Sequence, residues 1–291
     1  MNLKIYIDGK LVADDKAKIS VFDHGLLYGD GVFEGIRAYS GRVFKLTEHI
    51  DRLYKSAKAI MLKIPLNKEE MEQAVLKTVR ANNFQECYIR LVVTRGVGDL
   101  GLDPRKCLKA SVIIIASKIH FFSEDFYKNG LKIMTVPTRR NSIESLNPNI
   151  KSLNYLNNIL AKIEANNMNV LEAIMLDNNG YVVEGTGDNI FIINDKNELL
   201  TPPTYLGALK GITRDTIIDL SKNIGLTFRE EILTRYDLYN AFECFLTGTA
   251  CEVIPVINID ERIIGNGKPG INTVKLIKLF KEYVKTNGVK I

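Results

Sequence analysis

Alternating apolar and polar residues predict strands at the start of the chain. Segments 4–7 and 11–12 flank Asp8-Gly9, a pair that favours a tight hairpin because glycine tolerates positive φ. A second hairpin is predicted from strands over 32–39 and 42–44, with Ser40-Gly41 as its turn. Segments 87–94 and 110–116 are rich in β-branched residues, which favour strands.

Helical spacing replaces alternation after the second hairpin. Ile50, Leu53, Tyr54 and Ala57 occupy the i, i+3, i+4 and i+7 positions of one helix face, which predicts a helix through about 58. Thr47 is its predicted N-cap. A second helix is predicted over 68–82, so the first part of the chain is expected to be an α+β unit.

The remaining segments predict a second domain. The polar and aromatic segment 118–128 is typical of a linker. Strands are predicted after it over 131–137, 172–176, 182–183, 190–193 and 242–246, and helices over 153–166, 213–223 and 272–285. We therefore expect a small domain over 1–118, an interdomain loop over 119–130 and a large domain over 131–291.

Composition and charge narrow the class of protein. The 291 residues are 46% hydrophobic and 25% charged, as in ordinary globular proteins. The net charge of +5 is spread along the chain, which argues against a nucleic-acid partner. No apolar run reaches the ~18 residues of a membrane helix, and the N-terminus does not look like a signal peptide. The sequence therefore predicts a cytoplasmic protein.

Metal and disulfide chemistry is not expected. The four cysteines show no CxxC spacing, which is simplest to interpret as free thiols of a cytosolic protein. The three histidines, His24, His49 and His120, are far apart in sequence and do not form a metal-ligand motif.

One glycine-rich segment matches a nucleotide-binding pattern in an unsuitable context. Gly96-Val-Gly-Asp-Leu-Gly101 fits G-x-G-x-x-G and follows a predicted strand. A dinucleotide site requires a helix directly after the glycines, but Leu102-Asp103-Pro104 and another strand follow here. A long hairpin loop is the favoured interpretation.

Two other segments have the composition of anion sites. In Gly211-Ile-Thr-Arg-Asp215 a glycine and a threonine begin a helix, where exposed N–H groups can bind phosphate. Thr247-Gly-Thr-Ala250 follows an apolar strand and offers N–H groups and hydroxyls. Taken alone, each is better explained as an ordinary helix cap or turn.

Charged residues within apolar surroundings complete the candidates. Glu184 lies in Val183-Glu-Gly-Thr-Gly-Asp-Asn189, where a buried carboxylate would need a cationic partner, whereas a solvated loop is the alternative. Arg90 lies inside a β-branched strand, a costly position unless it binds a carboxylate or faces solvent. Lys151 precedes a predicted helix, and a lysine can act as a nucleophile if it is desolvated.

The order and spacing of these segments resemble a known family. The segments are Tyr28-Gly-Asp-Gly-Val-Phe-Glu-Gly-Ile-Arg37, His49 with Arg52, Tyr88-Ile-Arg90, Lys151 with Tyr155, Glu184-Gly-Thr-Gly-Asp-Asn189, Leu209-Lys-Gly-Ile-Thr-Arg214 and Thr247-Gly-Thr-Ala250. From about Lys4 to Lys278 the chain resembles the fold-type IV pyridoxal-phosphate aminotransferases, and most of all their branched-chain amino acid aminotransferases. The resemblance implies an α+β fold like that of D-amino acid aminotransferase, with a small α/β sandwich domain and a larger pseudo-barrel β domain with flanking helices.

The resemblance also implies the cofactor site. Lys151 matches the lysine that holds pyridoxal 5'-phosphate covalently and moves protons, and Arg52 matches the arginine that binds its phosphate. Glu184 matches the acid paired with the pyridine nitrogen. The other implied cofactor-binding residues are Tyr155 at the 3'-oxygen, Asn189, Leu209 against the ring, Ile212 and Thr213 at the phosphate, Gly248 and Thr249.

A substrate pocket and a dimer are implied in the same way. The implied substrate-binding residues are Tyr28, Phe33, Gly35, Arg37, Tyr88, Arg90, Thr249 and Ala250. The substrates would be L-leucine, L-isoleucine and L-valine with 2-oxoglutarate, which give branched-chain 2-oxo acids and L-glutamate. The segment around 96–104 resembles a loop lent to a neighbouring subunit, which implies at least a homodimer with shared active sites.

Three other functions remain open from the sequence. Ile150-Lys-Ser-Leu-Asn154 and Thr94-Arg-Gly96 also resemble D-amino acid aminotransferases, which keeps D-amino acid or (R)-amine substrates possible. Aminodeoxychorismate lyases share the fold, but the aromatic pocket residues argue against them. A non-catalytic binding protein is disfavoured because both Lys151 and Glu184 are present.

Overall fold

The computed structural model describes residues 3–119 and 122–291, so His120 lies outside the described residues. Elements are named in chain order. Up to Ile119 they are β1 (Lys4–Ile7), β2 (Lys10–Ala13), α1 (His24–Tyr28), β3 (Gly31–Tyr39), β4 (Arg42–Val43), α2 (Leu46–Ala59), α3 (Lys68–Ala81), β5 (Cys87–Thr94) and β6 (Ser111–Ser117).

The later elements begin with a short helix and end with a strand. They are α4 (Glu124–Asn129), β7 (Leu131–Thr135), α5 (Leu156–Asn167), β8 (Ala173–Leu176), β9 (Val182–Gly185), β10 (Asn189–Ile193), β11 (Glu198–Thr201), α6 (Ile212–Ser221), β12 (Thr227–Glu230), α7 (Arg235–Tyr239), β13 (Glu243–Gly248), β14 (Glu252–Ile259), β15 (Arg262–Ile263), α8 (Ile271–Thr286) and β16 (Val289–Lys290). No helix in the described ranges is long and apolar enough to cross a membrane.

The chain forms two compact units. The first takes residues 3–119 together with Ile150–Asn154 and Val284–Ile291, and the second takes 122–149 and Tyr155–Tyr283. The short segment that contains Lys151 therefore belongs to the first unit, because it pairs with β3. The division into 1–118, 119–130 and 131–291 stays a prediction.

The first unit is a seven-stranded antiparallel sheet with helices on one face. Its strand order is β16-β4-β3-β5-β6-β1-β2. Every second residue of β3 faces α2 and α3, and burial of these apolar side chains forms the core. Core side chains include Val32 and Ile36 of β3, Ile50 and Leu53 of α2, and Val75 of α3.

The second unit contains a nine-stranded mixed sheet. Its order is β12-β11-β10-β13-β14-β7-β8-β9, with β15 beside β14. The pairs β11/β12, β14/β7 and β7/β8 are parallel, and the others are antiparallel. The terminal strand β9 also contacts β10, so the sheet curls on itself. The predicted α+β class is confirmed.

Local predictions were accurate for the strongest patterns. The strands over 4–7 and 87–94 have the predicted bounds, and the hairpin at Asp8-Gly9 is present, although its second strand is Lys10–Ala13 rather than 11–12. The cap at Thr47 was wrong: α2 begins at Leu46 after a left-handed Lys45 (φ 49), because Leu46 is buried in the core. The Thr47 hydroxyl donates to Glu72 instead.

Other elements were not predicted. Helix α4 lies in the segment interpreted as a linker. Strand β14 was missed because its Pro255 has no N–H and argues against a central strand. Its pairing with β7 begins only at Val256, after the proline.

The loop between β5 and β6 depends on glycine at position 96. A Cβ on Gly96 (φ +92) would lie 1.9 Å from the Lys109 carbonyl oxygen, whereas a Cβ on Gly9 (φ +93) meets nothing within 4 Å. Gly9→Ala should lower the free energy of unfolding by about 1–2 kcal/mol, the cost of a left-handed residue. Gly96→Ala should lower it by at least ~2 kcal/mol more, since backbone atoms must move.

Urea unfolding of both variants and of the wild type measures this difference. Equal losses in the two variants would show that the β5–β6 loop adapts to a side chain, which would contradict the prediction.

Candidate active site

Lys151 is held by its backbone against two elements of the first unit. The Phe33 N–H of β3 donates to the Lys151 carbonyl oxygen (2.9 Å). The Lys151 N–H donates to Ser56 Oγ of α2 (3.1 Å). The Lys151 Nζ lies 4.5 Å from the Phe33 ring centroid. The amine is therefore placed over an aromatic ring whose strand also fixes the lysine backbone.

Five predicted substrate residues share the face of the sheet opposite the core. Alternation puts Phe33, Gly35 and Arg37 together on β3, and the register places Tyr88 beside Arg37 and Arg90 beside Gly35. The guanidinium carbon of Arg90 lies 4.6 Å from the Phe33 ring and 5.3 Å from the Tyr88 ring. These are cation–π distances, so the two aromatic rings stabilise the guanidinium charge. The residues directly opposite Arg90 on the neighbouring strands, Gly35 and Ile115, carry no carboxylate.

Gly35 leaves the space that Tyr88 occupies. A Cβ at position 35 would lie 2.1 Å from Tyr88 Oη. Only glycine therefore allows this tyrosine to lie across β3, next to Arg90.

Tyr28 connects the short helix α1 with the loop after β5. Its hydroxyl donates to the Leu100 carbonyl oxygen. His24, at the other end of α1, lies 2.8 Å from the Asp99 carbonyl oxygen through Nε2. The G-x-G-x-x-G segment therefore forms a loop between antiparallel strands that packs on α1, as expected from the absence of a following helix.

A buried charged cluster lies on the core face of β3. Glu34 accepts from Arg52 Nε (2.7 Å) and Nη2 (2.8 Å), and lies 2.8 Å from His49 Nδ1. Burial alone would raise the pKa of Glu34, but the Arg52 charge and the hydrogen bonds lower this pKa to about 2. Burial lowers the pKa of His49, as do the Arg52 and Lys151 charges, against the opposite effect of Glu34.

In the second unit, Glu184 is buried and has a cationic partner within the chain. Arg140 Nε donates to Glu184 Oε1 (2.8 Å), and the Leu209 N–H donates to Oε2 (2.9 Å). Asn189 Nδ2 also reaches Oε2 (3.4 Å) and donates to the Leu209 carbonyl oxygen (2.9 Å). The solvated loop considered for Glu184 is wrong, because its strand β9 is buried throughout.

The N-terminus of α6 has the features of an anion site. Gly211 is the N-cap residue, and as a glycine it has no side chain to cap this end. The first-turn N–H groups, including those of Ile212 and Thr213, can therefore donate to a ligand. A Cβ at Gly211 would lie 2.0 Å from Asn189 Oδ1, so glycine is required for this close packing.

The segment after β13 packs on a buried acid. A Cβ at Gly248 would lie 2.2 Å from Asp188 Oδ1, and Cys251 Sγ donates to the same oxygen (3.1 Å). Thr247 Oγ1 is buried and has no hydrogen-bond partner among the described residues. Burial first, and then the Glu172 charge, raises the pKa of Asp188 to about 7, against the hydrogen bond from Cys251.

The predicted site residues fall into one group on each unit. On the first unit lie Tyr28, Phe33, Gly35, Arg37, Arg52, Tyr88, Arg90 and Lys151. On the second lie Tyr155, Glu184, Asn189, Leu209, Ile212, Thr213, Gly248, Thr249 and Ala250. Tyr155 is the N-cap residue of α5, and Thr249 and Ala250 directly follow β13.

Four polar residues next to this set were given no role from the sequence: Glu34, its partner His49, Arg140 and Asp188. Glu34 had a usable signal, since it interrupts the apolar alternation Val32, Ile36 and Ala38 on the core face. Arg140 had none, because no pattern indicates which arginine meets Glu184.

Comparison with known proteins identifies the family. The model of the family described as "Amino-transferase class IV" matches residues 31–259. The chain belongs to this family. A relative of this class IV aminotransferase, the putative branched-chain-amino-acid aminotransferase of Methanocaldococcus jannaschii, is 57% identical over 291 residues, which cover 99% of each chain.

Solved structures of class IV aminotransferases have the same fold. The branched-chain amino acid aminotransferase of Escherichia coli superimposes with a TM-score of 0.95 at 34% identity, covering 99% of this chain and 96% of that one. The branched-chain amino acid aminotransferase of Thermobaculum terrenum, solved in its PLP-form (holo-form), gives 0.89 at 29% identity, with 98% and 95% covered. The predicted family and fold architecture are confirmed.

The raised pKa of Asp188 makes the stability of this class IV aminotransferase depend on pH. An acid whose pKa is raised on folding stabilises the folded state below its ordinary value of 3.8, and this contribution is lost as the pH rises to about 7. Asp188→Asn cannot ionise, so its free energy of unfolding relative to wild type should increase between pH 4 and 7 and then level off. The expected total is roughly 4 kcal/mol, because a difference of one in pKa corresponds to about 1.4 kcal/mol.

Urea unfolding at several pH values tests this, with Asp195→Asn at an exposed position controlling for the substitution itself. A difference between Asp188→Asn and wild type that is constant from pH 4 to 8 would contradict the assignment.

Proposed function

We propose that this protein is a pyridoxal-phosphate-dependent aminotransferase that transfers the amino group of branched-chain L-amino acids to 2-oxoglutarate. The products are branched-chain 2-oxo acids and L-glutamate. The observation that carries the proposal is the match of the whole chain to branched-chain aminotransferases, at 57% identity for the relative from Methanocaldococcus jannaschii.

The residues of the second unit fit a phosphorylated ring compound. The start of α6, where the N-cap residue is a glycine, offers N–H groups for a phosphate. Glycines at 211 and 248 keep the backbone close to polar side chains where a Cβ would not fit. Ile212, Thr213, Gly248 and Thr249 would bind the phosphate, and the resemblance gives Arg52 the same role. Asn189 would support this segment, because it donates to the Leu209 carbonyl oxygen.

The ring of the cofactor would be held by three further residues. Glu184 would pair with the pyridine nitrogen. Each carboxylate oxygen can accept two hydrogen bonds, so Oε2 is satisfied by Leu209 and Asn189, whereas Oε1, which accepts from Arg140, can accept one more. The Leu209 side chain would lie against the ring, and Tyr155 would bind its 3'-oxygen. When bound, pyridoxal phosphate supplies a conjugated ring that accepts the electrons of the broken Cα–H bond.

Lys151 would hold the cofactor and move the proton. Its amine would take the proton from the substrate Cα, a general-base step. The hydrogen bonds of its backbone with Phe33 and Ser56 would fix the position of the Lys151 Cα, and so the origin of its side chain. The amine lies 4.5 Å from the ring centroid of Phe33, one of the residues proposed to bind the substrate.

The pocket face would accept two kinds of side chain. Phe33 and Tyr88 would contact a branched apolar side chain, with Gly35 and Arg37 on the same face. Arg90 and Tyr28 would bind the distal carboxylate of 2-oxoglutarate, and the N–H groups of Thr249 and Ala250 would bind the α-carboxylate. An apolar pocket discriminates a single methylene by only ~1–3 kcal/mol, so leucine, isoleucine and valine should all react.

The D-amino acid or (R)-amine alternative rested on Thr94-Arg-Gly96. In the structure Arg95 is buried and pairs with Asp30 through Nε and Nη2. It also donates to the carbonyl oxygens of Ile60 and Met61. These contacts explain the arginine as a structural residue, which favours L-amino acid substrates. The proteins compared above are all named as branched-chain aminotransferases, and the aromatic pocket face argues against an aminodeoxychorismate lyase.

Absorption spectroscopy tests the function. Purified protein supplied with pyridoxal phosphate should be yellow, and L-leucine, but not D-alanine, should bleach the band. Bleaching by D-alanine alone would mean that the handedness of the pocket is the opposite one. Absence of a yellow band would rule out the cofactor.

Lys151→Ala is the matched variant. It should remain folded, because the backbone contacts of Lys151 do not involve the side chain, but it should hold no cofactor covalently. The transaminase rate should fall by at least about 10²–10⁴, the usual contribution of proton transfer. A variant with full activity would show that another residue acts as the base.

A homodimer is also part of the proposal. Apolar side chains of the 96–104 loop are exposed in the single chain, among them Val97, Leu100 and Leu102, and the resemblance assigns this loop to a neighbouring subunit. Light scattering of the purified protein should therefore give at least twice the mass of 32.8 kDa. A monomer would contradict shared active sites. The cytoplasmic location and the lack of a bound metal stay predictions.

A further inference from the structure

Glu34 is a buried carboxylate that has no part in the roles assigned so far. It lies on the core face of β3 between Val32 and Ile36, where an apolar side chain would be expected. A buried charge at such a position is costly unless it is paired and hydrogen-bonded. The interactions of Glu34 with its partners must therefore compensate for the cost of burying its charge.

The geometry of the pair fixes the arginine. Arg52 contacts the two carboxylate oxygens through Nε (2.7 Å) and Nη2 (2.8 Å). Two parallel charge-assisted hydrogen bonds set the plane of a guanidinium group as well as its position. Because a guanidinium is planar and rigid, its Nη1 end then points away from Glu34.

A third residue holds Glu34 itself. His49 Nδ1 lies 2.8 Å from the oxygen that also accepts from Arg52 Nη2. His49, Arg52 and Ser56 are three and four residues apart, so they share one face of α2. Ser56 accepts from the Lys151 N–H. One helix face therefore contacts both Glu34 and the backbone of Lys151.

We propose that Glu34 is a positioning residue, which holds the Arg52 guanidinium in the orientation that binds the cofactor phosphate, while His49 supports Glu34. This inference rests on the proposed function, in which Arg52 binds the phosphate. The competing explanation is that Glu34 merely balances the charge of Arg52. Removal of Glu34 would then strengthen phosphate binding, because a nearby negative charge disappears.

A comparison of two ligands separates these roles from general damage to the fold. Pyridoxal phosphate and pyridoxal differ only in the phosphate, so the ratio of their dissociation constants reports on the phosphate site. Misfolding would weaken both ligands alike. The ratio is measured by absorption titration of cofactor-free full-length wild type, Glu34→Gln, Arg52→Lys and the double variant. Glu48→Gln, on an exposed part of α2, is the matched control.

Glu34→Gln should lose roughly ten- to hundredfold of the preference for the phosphorylated ligand, the scale typical of residues that orient a binding group. Glutamine keeps the shape but loses the charge and one acceptor, so the two-bond contact with Arg52 is broken. Arg52→Lys should lose the preference too, since lysine has no planar fork. The double variant should be no worse than Arg52→Lys, because Glu34 acts through Arg52. Glu48→Gln should behave like the wild type.

Three results would overturn the inference. They are an unchanged preference in Glu34→Gln, a stronger preference in Glu34→Gln, and additive losses in the double variant. If Glu34→Gln does not fold, Glu34→Asp replaces it, because aspartate keeps the charge but withdraws the carboxylate by one methylene. A positioning role then predicts that the preference for the phosphorylated ligand is lost. A charge-balancing role predicts that this preference is retained. If the wild type shows no preference for the phosphorylated ligand, the proposed function itself fails, which is a separate outcome.

Discussion

The buried ion pair between Glu34 and Arg52 joins β3 to α2, and the placement of Lys151 depends on both of these elements. Its carbonyl oxygen is bound by β3 and its N–H by α2. A shift of the helix along the strand would therefore strain the lysine backbone as well as separate the ion pair. The same strand presents Phe33 and Gly35 on its other face. Strand β3 therefore positions both Arg52, which is proposed to bind the phosphate, and the proposed substrate residues.

Two buried carboxylates of the second unit are also satisfied by specific partners. Glu184 is bound by Arg140 and by the Leu209 N–H. Glu243 accepts from the N–H groups of Asn272 and Thr273 and so satisfies the start of α8. Because these acids are held in place by donors at fixed positions, they give the sheet ends a defined geometry, which an apolar core alone would not provide.

How far the sequence predicts this structure depends on the range of the interaction. Turns such as Asp8-Gly9 and the strand over 87–94 follow from local residue preferences, and they were found. The start of α2 was misplaced because burial of Leu46, a tertiary effect, outweighed the capping preference of Thr47. The pairing of the Lys151 segment with β3 and the choice of Arg140 as the partner of Glu184 join residues far apart in sequence, and no local pattern encodes them.

Three glycines of the candidate site are required for packing rather than for chain turns. None of Gly35, Gly211 and Gly248 has positive φ, yet a Cβ on each would collide with a polar atom of another side chain, from Tyr88, Asn189 and Asp188 respectively. Each of these glycines is therefore required by another residue. The hydroxyl, amide or carboxylate of that residue occupies the space where a Cβ would otherwise lie. Taken alone, a segment with such a glycine looks like an ordinary turn, because the local sequence does not show the distant residue that requires the glycine.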